Sequence, residues 1–294
     1  MSATTVDIIE AMPAASRSST ARWVSRFTSN RIAVAGLVIL AVLGLAAIVG
    51  PFLVTDPIQQ DVQTRFLKPD RNHWFGTDEL GRDIFARTIH GARISIAAAV
   101  VSVVVGLVTG TIIGLTAGYL EGRVGLGLMA FIDLLLAIPA ILLAITLAAR
   151  VGPGLTSAML AAGLVGLPGY ARLARGSTLI TKRRDFVDAA RVTGMTNAAL
   201  MRRHILPNIT TPLSVQATIG VGNAILLVSA LGFLGLGAQP PAAEWGRMLS
   251  DAQRYILNAP YIGIFPGLGI ALTVIGFNLA GDGLRDALDP KEKR

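Results

Sequence analysis

"DFVDAARVTGMTNAALMRRHILPN", residues 185–208, interrupts a chain otherwise written for an apolar environment. The segment is basic and lies between two apolar stretches, with a glycine at 194 and Leu206-Pro207 near its end. Residues 185–191 favour a helix, with Phe186, Ala189 or Ala190, and Thr193 on one side. Gly194 breaks that pattern, Asn197 is placed to cap a second helix, and residues 198–205 resume the period before Pro207 stops the next turn. The expectation is two short helices joined by a bend. A solvated basic loop needs Lys and Arg, but it does not need small alanines flanked by Phe and Met. Small and apolar side chains at such a place suit a knob that enters a groove on a partner.

The surroundings explain why such a knob is needed. Of the 294 residues, 52% are apolar types and only 15% are charged, which places the chain among polytopic membrane proteins. Uncharged or nearly uncharged runs at 32–54, 94–120, 124–149, 155–171, 209–236 and 262–280 give six spans. The first is 23 residues long, about 34 Å as a helix against a hydrocarbon layer of about 30 Å. It starts too late and runs too long for a cleaved signal peptide. In the second, Gly106, Gly110, Gly114 and Gly118 recur every four residues, a stripe that lets another helix approach closely. Pro139 breaks the third, and Gly163, Gly166 and Pro168 loosen the fourth.

Six spans put both termini on one side. Counted by loop, 17 of the 26 Lys and Arg fall on the side of the termini and of residues 185–208, against 9 on the other. Cytoplasmic loops are enriched in these residues, so the termini and the 185–208 segment are expected in the cytoplasm. The resulting plan is an N-terminal tail (1–30), a first span (31–54), an external segment (55–92), a core (93–283) that includes the loop at 184–208, and a C-terminal tail (284–294).

Several chemistries find no support. With no cysteine there is no thiolate site, and His73, His90 and His204 are too scattered for a ligand motif. No lysine follows a glycine, so a phosphate-cradling loop is missing and the chain needs energy from elsewhere. Asp133 is the one acid within the six spans. It suits either a translocation path or a structural hydrogen bond. Gln216, Asn223 and Asn278 suit a conduit or helix-to-helix hydrogen bonding. In the external segment, residues 73–95 offer turns at Gly76 and Gly81, then an amphipathic stretch with Ile84, Phe85, Thr88 and Ile89 on one side. That stretch is expected to lie in the membrane interface before the chain turns inward.

"DAARVTGMTNAALMRRHILP" (188–207) resembles the EAA-type loop of bacterial ABC importer membrane subunits, through Asp188, Ala189, Ala190, Gly194, Ile205, Leu206 and Pro207. Asp188 stands where the pattern usually has Glu, and His204 where it has an aliphatic residue. "HWFGTDELGRD" (73–83) and "GDGLRDALDP" (281–290) are similar to motifs of the C-type permease of dipeptide and oligopeptide importers, as is the added first span.

The resemblance implies an all-α membrane protein with the type I ABC importer permease fold and cytoplasmic EAA coupling helices. It implies a non-catalytic subunit of the bacterial cytoplasmic membrane. The implied partners are a homologous second permease subunit, two cytoplasmic ATPase subunits docked on the EAA loop, and an extracytoplasmic substrate-binding protein. ATP and Mg would be held by the ATPases, with no cofactor in this chain and no nucleic acid partner. Asp78, Arg82 and Asp83 become candidates for contact with the binding protein. Relatives moving nickel, glutathione or haem share these motifs. A stand-alone channel or proton-coupled carrier is the competing class, disfavoured by the scarcity of charge within the spans, and a membrane enzyme has no catalytic constellation to support it.

Overall fold

Asn30 accepts backbone N–H bonds from Ile32 (3.0 Å) and Ala33 (3.2 Å) and so starts the first helix, α1 (Arg31–Val49). The computed structural model describes residues 27–288, so most of the N-terminal tail and the last residues of the C-terminal tail lie outside it. After an irregular segment, Asp83 caps α2 (Ile84–Leu120) through Ala86 N at 2.8 Å. There follow α3 (Gly122–Ala137), α4 (Ala140–Val151), α5 (Leu155–Lys182), α6 (Asp185–Val192) and α7 (Asn197–Leu200). A π turn (Met201–Ile205) leads into α8 (Leu206–Phe233), and then come α9 (Trp245–Ala252) and α10 (Tyr261–Leu288).

Four of these helical stretches are long and apolar enough to cross a bilayer, and a fifth if α3 and α4 count as one span. The remaining expected span lies in α5, which has the length at 28 residues but not the same apolarity. The reason is position. An added Cβ on Gly106, Gly110, Gly114 or Gly118 of α2 would come under 3.0 Å from the backbone oxygens of Gly163, Leu167, Ala171 and Arg175, so α2 and α5 meet almost backbone to backbone. The glycine stripe read from the sequence is therefore a helix contact.

The fold departs from expectation in two places and gives an expected break its angle. There is no separate interfacial helix: α2 is continuous for 37 residues, about 55 Å and longer than the hydrocarbon layer is thick. No breaker separates the amphipathic turn from the span, and its Gly91 sits against Ala243 O and the Trp245 ring. The third span is broken at Pro139 as expected, but sharply, with α3 and α4 meeting at 94° across Ile138 and Pro139. Finally, Pro207 does not stop a helix, since the π turn delivers it to the start of α8, where its missing N–H is harmless.

The first span is held by α10, where Gly276 faces Leu40, Gly283 faces Ala33, and Gly36 on α1 faces Leu279 and Ala280. The similarity at 281–290 thus has a packing content: Gly281 meets Ile219 of α8 while Gly283 meets α1. Elsewhere α1 leaves Leu37, Val38, Val42, Leu45 and Ile48 exposed, as a lipid-facing helix does. Asn30 Nδ2 also donates to Asp286 at 3.4 Å, so the start of α1 and the end of α10 share one end of the bundle, here called the loop end.

Candidate coupling loop and translocation path

At the loop end, α6 carries Asp185 and Asp188 in its first turn and Arg191 in its last, the arrangement a helix dipole favours. Val187 and Ala190 are buried and seat the helix, while Asp188 and Ala189 face outward. Asp188 pairs with Arg191 at 2.7 Å. Phe186 is 40% exposed and Val192 89% exposed, leaving apolar side chains in the open on a polar end of the protein. Gly194 ends α6 with φ +81, a conformation that favours glycine, and its N–H donates to Arg191 O at 3.0 Å. Thr196, not Asn197, caps the next helix, its hydroxyl accepting from Ala199 N at 3.4 Å. Leu200 and Ile205 are fully buried, Leu206 is half-buried and Pro207 exposed.

Asn197 has another task. Its Oδ1 accepts from the hydroxyl of Tyr119, at the end of α2, at 2.6 Å. Lys182, at the end of α5, donates to Tyr119 O (2.5 Å) and to Glu121 Oε1 (2.9 Å), and its Nζ lies 5.1 Å from the Tyr119 ring centroid. The hydrogen bond from Lys182 holds the Glu121 carboxyl below its usual range. The loop is thereby tied to the ends of α2 and α5, the two helices that pack closest.

A cavity of about 490 Å³ opens beside α5 and α8, with Ser102, Gly166, Gly169, Tyr170, Gln216 and Asn223 in its lining. Of the residues named for a conduit, Gln216 and Asn223 thus line this cavity. Asn278 is not in that lining; its Oδ1 approaches Gly222 between α10 and α8, which is a packing position. Asp133 does not line the cavity either, and pairs with Arg172 at 2.6 Å.

At the opposite end, residues 50–83 and 234–260 form a polar cap. Asp78 and Arg82 are 3% and 5% exposed, which corrects their placement as contacts for an outside protein. Asp78 Oδ2 takes Arg82 Nε at 2.6 Å and faces Arg87 Nε at 3.6 Å, while its Oδ1 accepts from Leu80 N and Arg82 N. Paired charges that leave water together need such saturation. Asp83, partly exposed, spends one oxygen on the α2 cap and the other on His73 Nδ1 at 2.8 Å. Glu244 is fully buried, which pushes its carboxyl above the usual range although Gly246 N, Arg247 N and the Ser95 hydroxyl all donate to it.

Residues 110–294 match the family model described as binding-protein-dependent transport system inner membrane component. The chain belongs to this family. Residues 18–69 match the N-terminal transmembrane domain of oligopeptide transport permease C. The permease is 44% identical over 265 residues to the dipeptide transport system permease protein DppC of Alkalihalophilus pseudofirmus, covering 90% of this chain and 87% of the relative. It is 43% identical to the probable D,D-dipeptide transport system permease protein DdpC of Escherichia coli K12, covering 92% and 91%. The glutathione transport system permease protein GsiD of Pectobacterium atrosepticum is also 43% identical, covering 91% and 90%.

Among solved structures, the inward-facing MetNI methionine ABC transporter aligns with a TM-score of 0.57 at 21% identity, covering 70% of this chain and 98% of that one, a likeness of fold. The protein is thus a multi-pass, inner-membrane permease subunit of an ABC importer. It is non-catalytic and works with an ATPase and a substrate-binding protein.

Of the loop residues named from the sequence, Asp188, Ala189, Gly194 and Pro207 are open to a partner, and Ala190 and Ile205 hold the loop in place. Val192 and the Tyr119–Asn197 bond were missed. Val192 was legible as an apolar residue beside Gly194, whereas nothing local marks Tyr119, which acts across 78 positions.

Proposed function

We propose that this permease is the C-type half of a heterodimer that imports di- and oligopeptides delivered by a binding protein, with both termini in the cytoplasm. Residues 185–208 dock on cytoplasmic ATPase subunits, which hold ATP and Mg, and this chain holds no cofactor. The observation that carries the coupling role is the outward display of Ala189, Val192 and Phe186 on a loop bonded to α2 through Tyr119 and Asn197. ATP-driven closure of the ATPases moves α6 and α7. Those ties pass the movement to α2 and α5, which flank the cavity, by rigid-body displacement of packed helices. Sequence similarity to dipeptide permeases supports the peptide cargo.

A second reading is favoured by the glutathione relatives. Glutathione is itself a modified tripeptide, so the two readings differ in side chains and linkage rather than in architecture. Isolating the intact complex and identifying by mass spectrometry what its binding protein retains decides between them. A short peptide supports the first reading, glutathione the second, and a metal or haem overturns both. The permease alone in liposomes is expected to move nothing, and uptake by the isolated chain would return the question to a stand-alone carrier.

A further inference from the structure

Arg172 and Asp133 are charged, paired and still open. Arg172 lies ten residues before the end of α5 at Lys182, and Asp133 eleven after the start of α3 at Gly122. Each therefore lies about 15 Å along its helix from the loop end, Asp133 within the apolar run at 124–149 and Arg172 directly after the run at 155–171. Their side chains are nonetheless 55% and 59% exposed. A charge within a span or at its edge is costly against lipid and is kept where it meets a water-filled path or another protein surface. The surroundings of Arg172 favour the path. It stands between Gly169 and Gly176 on one face of α5, and neither glycine has any atom within 4 Å of where a Cβ would sit. Gly169 is also part of the cavity lining, as is Val165 one turn before it. The face Val165, Gly169, Arg172, Gly176 therefore runs out of the cavity toward the loop end.

We infer that Asp133 and Arg172 form a substrate subsite on the translocation path, where Arg172 takes the carboxylate and Asp133 the ammonium of a zwitterionic peptide. The inference rests on the peptide reading above. The described lining of the cavity holds Ser102, Tyr170, Gln216 and Asn223 but no formal charge, so a peptide's two terminal charges find no counter-charge there. One turn further on, the pair supplies both. An ion pair this exposed is held weakly, because water screens it, so its two charges are easily exchanged for those of a ligand that carries the opposite of each. The planar guanidinium fits a carboxylate through two parallel hydrogen bonds. Weak, exchangeable holding also suits a conduit, which must release what it admits.

The test uses the full complex, with both membrane subunits, ATPases and binding protein, in proteoliposomes supplied with ATP, and labelled dialanine as the probe. Arg172→Gln, Asp133→Asn and the double variant are each expected to lower dialanine uptake at least tenfold, with normal subunit composition and with the double variant no better than either single one. Recovery of wild-type uptake in the double variant would overturn the inference, since the damage would then come from an orphaned charge in a purely structural bridge. Loss of the second membrane subunit from the single variants would overturn it in favour of a subunit contact. A wild-type complex that moves no dialanine brings down the peptide reading itself and this inference with it, and that failure is recognised without any variant.

Discussion

In the cap, the Arg82–Asp78 pair has side chains 6% and 4% exposed, and every oxygen of Asp78 is engaged. In the loop, the Arg191–Asp188 pair has side chains 46% and 60% exposed. The two pairs have nearly the same length, 2.6 and 2.7 Å, yet opposite consequences. Charge sealed from water fixes the cap to α2 through Arg87, because any movement would strand an ion in a poor dielectric. Charge left in water leaves the loop free to be moved by something else. What holds the loop is lighter: one tyrosine hydroxyl and the buried apolar side chains of Val187, Ala190, Leu200 and Ile205.

The strongest way to break this comparison is Asp78→Ala. It leaves Arg87 buried without its carboxylate and Arg82 with Glu79 alone, at 3.2 Å, and a loss of about 3–5 kcal/mol is expected. Thermal unfolding of the purified complex in detergent should show the loss directly; an unchanged melting temperature would mean that the cap is not held by this pair. Next comes Gly194→Leu, where a side chain is forced into a left-handed conformation at roughly 1–2 kcal/mol. The protein should still reach the membrane, but ATP hydrolysis should no longer drive uptake. Normal uptake by that variant would count against the docking role of the loop.

A subtler change sharpens the contrast. Tyr119→Phe keeps the ring under Lys182 and removes only the bond to Asn197, a loss of about 0.5–1.5 kcal/mol. Stability should barely move, and ATPase subunits should still bind. Transport per ATP hydrolysed, measured in proteoliposomes, is expected to fall because the loop is then tied to α2 by one contact fewer. An unchanged ratio would assign the movement to the α8 connection instead.

How much of this was legible beforehand depends on the range of the interaction. Apolar runs, the glycine stripe of α2 and the bend at Gly194 are local patterns, and each has its structural counterpart. The spacing of residues 73–95 leaves Arg82, Asp83, Arg87 and His90 off the apolar stripe, where water would be expected. Asp78, Arg82 and Arg87 are instead buried, beside Met248 and Asp251 of α9 and Ile262 of α10, elements more than 150 residues further on, while Asp83 and His90 stay partly exposed. Pro139 signalled a break but not its 94° angle, which depends on what α4 packs against. Asp133 was read with its partner unknown, because Arg172 lies 39 residues away on another helix. The π turn before Pro207 had no counterpart in the expected pattern, in which proline was read simply as a stop.

The smallest expected change in stability is the most informative about the loop. Asp188→Lys removes a pair that is exposed on both sides and places a cation in the first turn of α6, together worth about 1 kcal/mol. Thermal unfolding should therefore stay close to that of the wild type. Yet Asp188 stands one residue from the exposed Ala189, on the surface proposed to dock the ATPases, so reversing its charge should weaken their retention on purification and uncouple hydrolysis from uptake. Adding Arg191→Asp restores a pair of opposite charges within the helix but leaves the outward face reversed. If uptake returns in that double variant, Asp188 acts only by keeping α6 intact; if uptake stays lost while the helix is as stable as before, the carboxylate itself is what the partner reads.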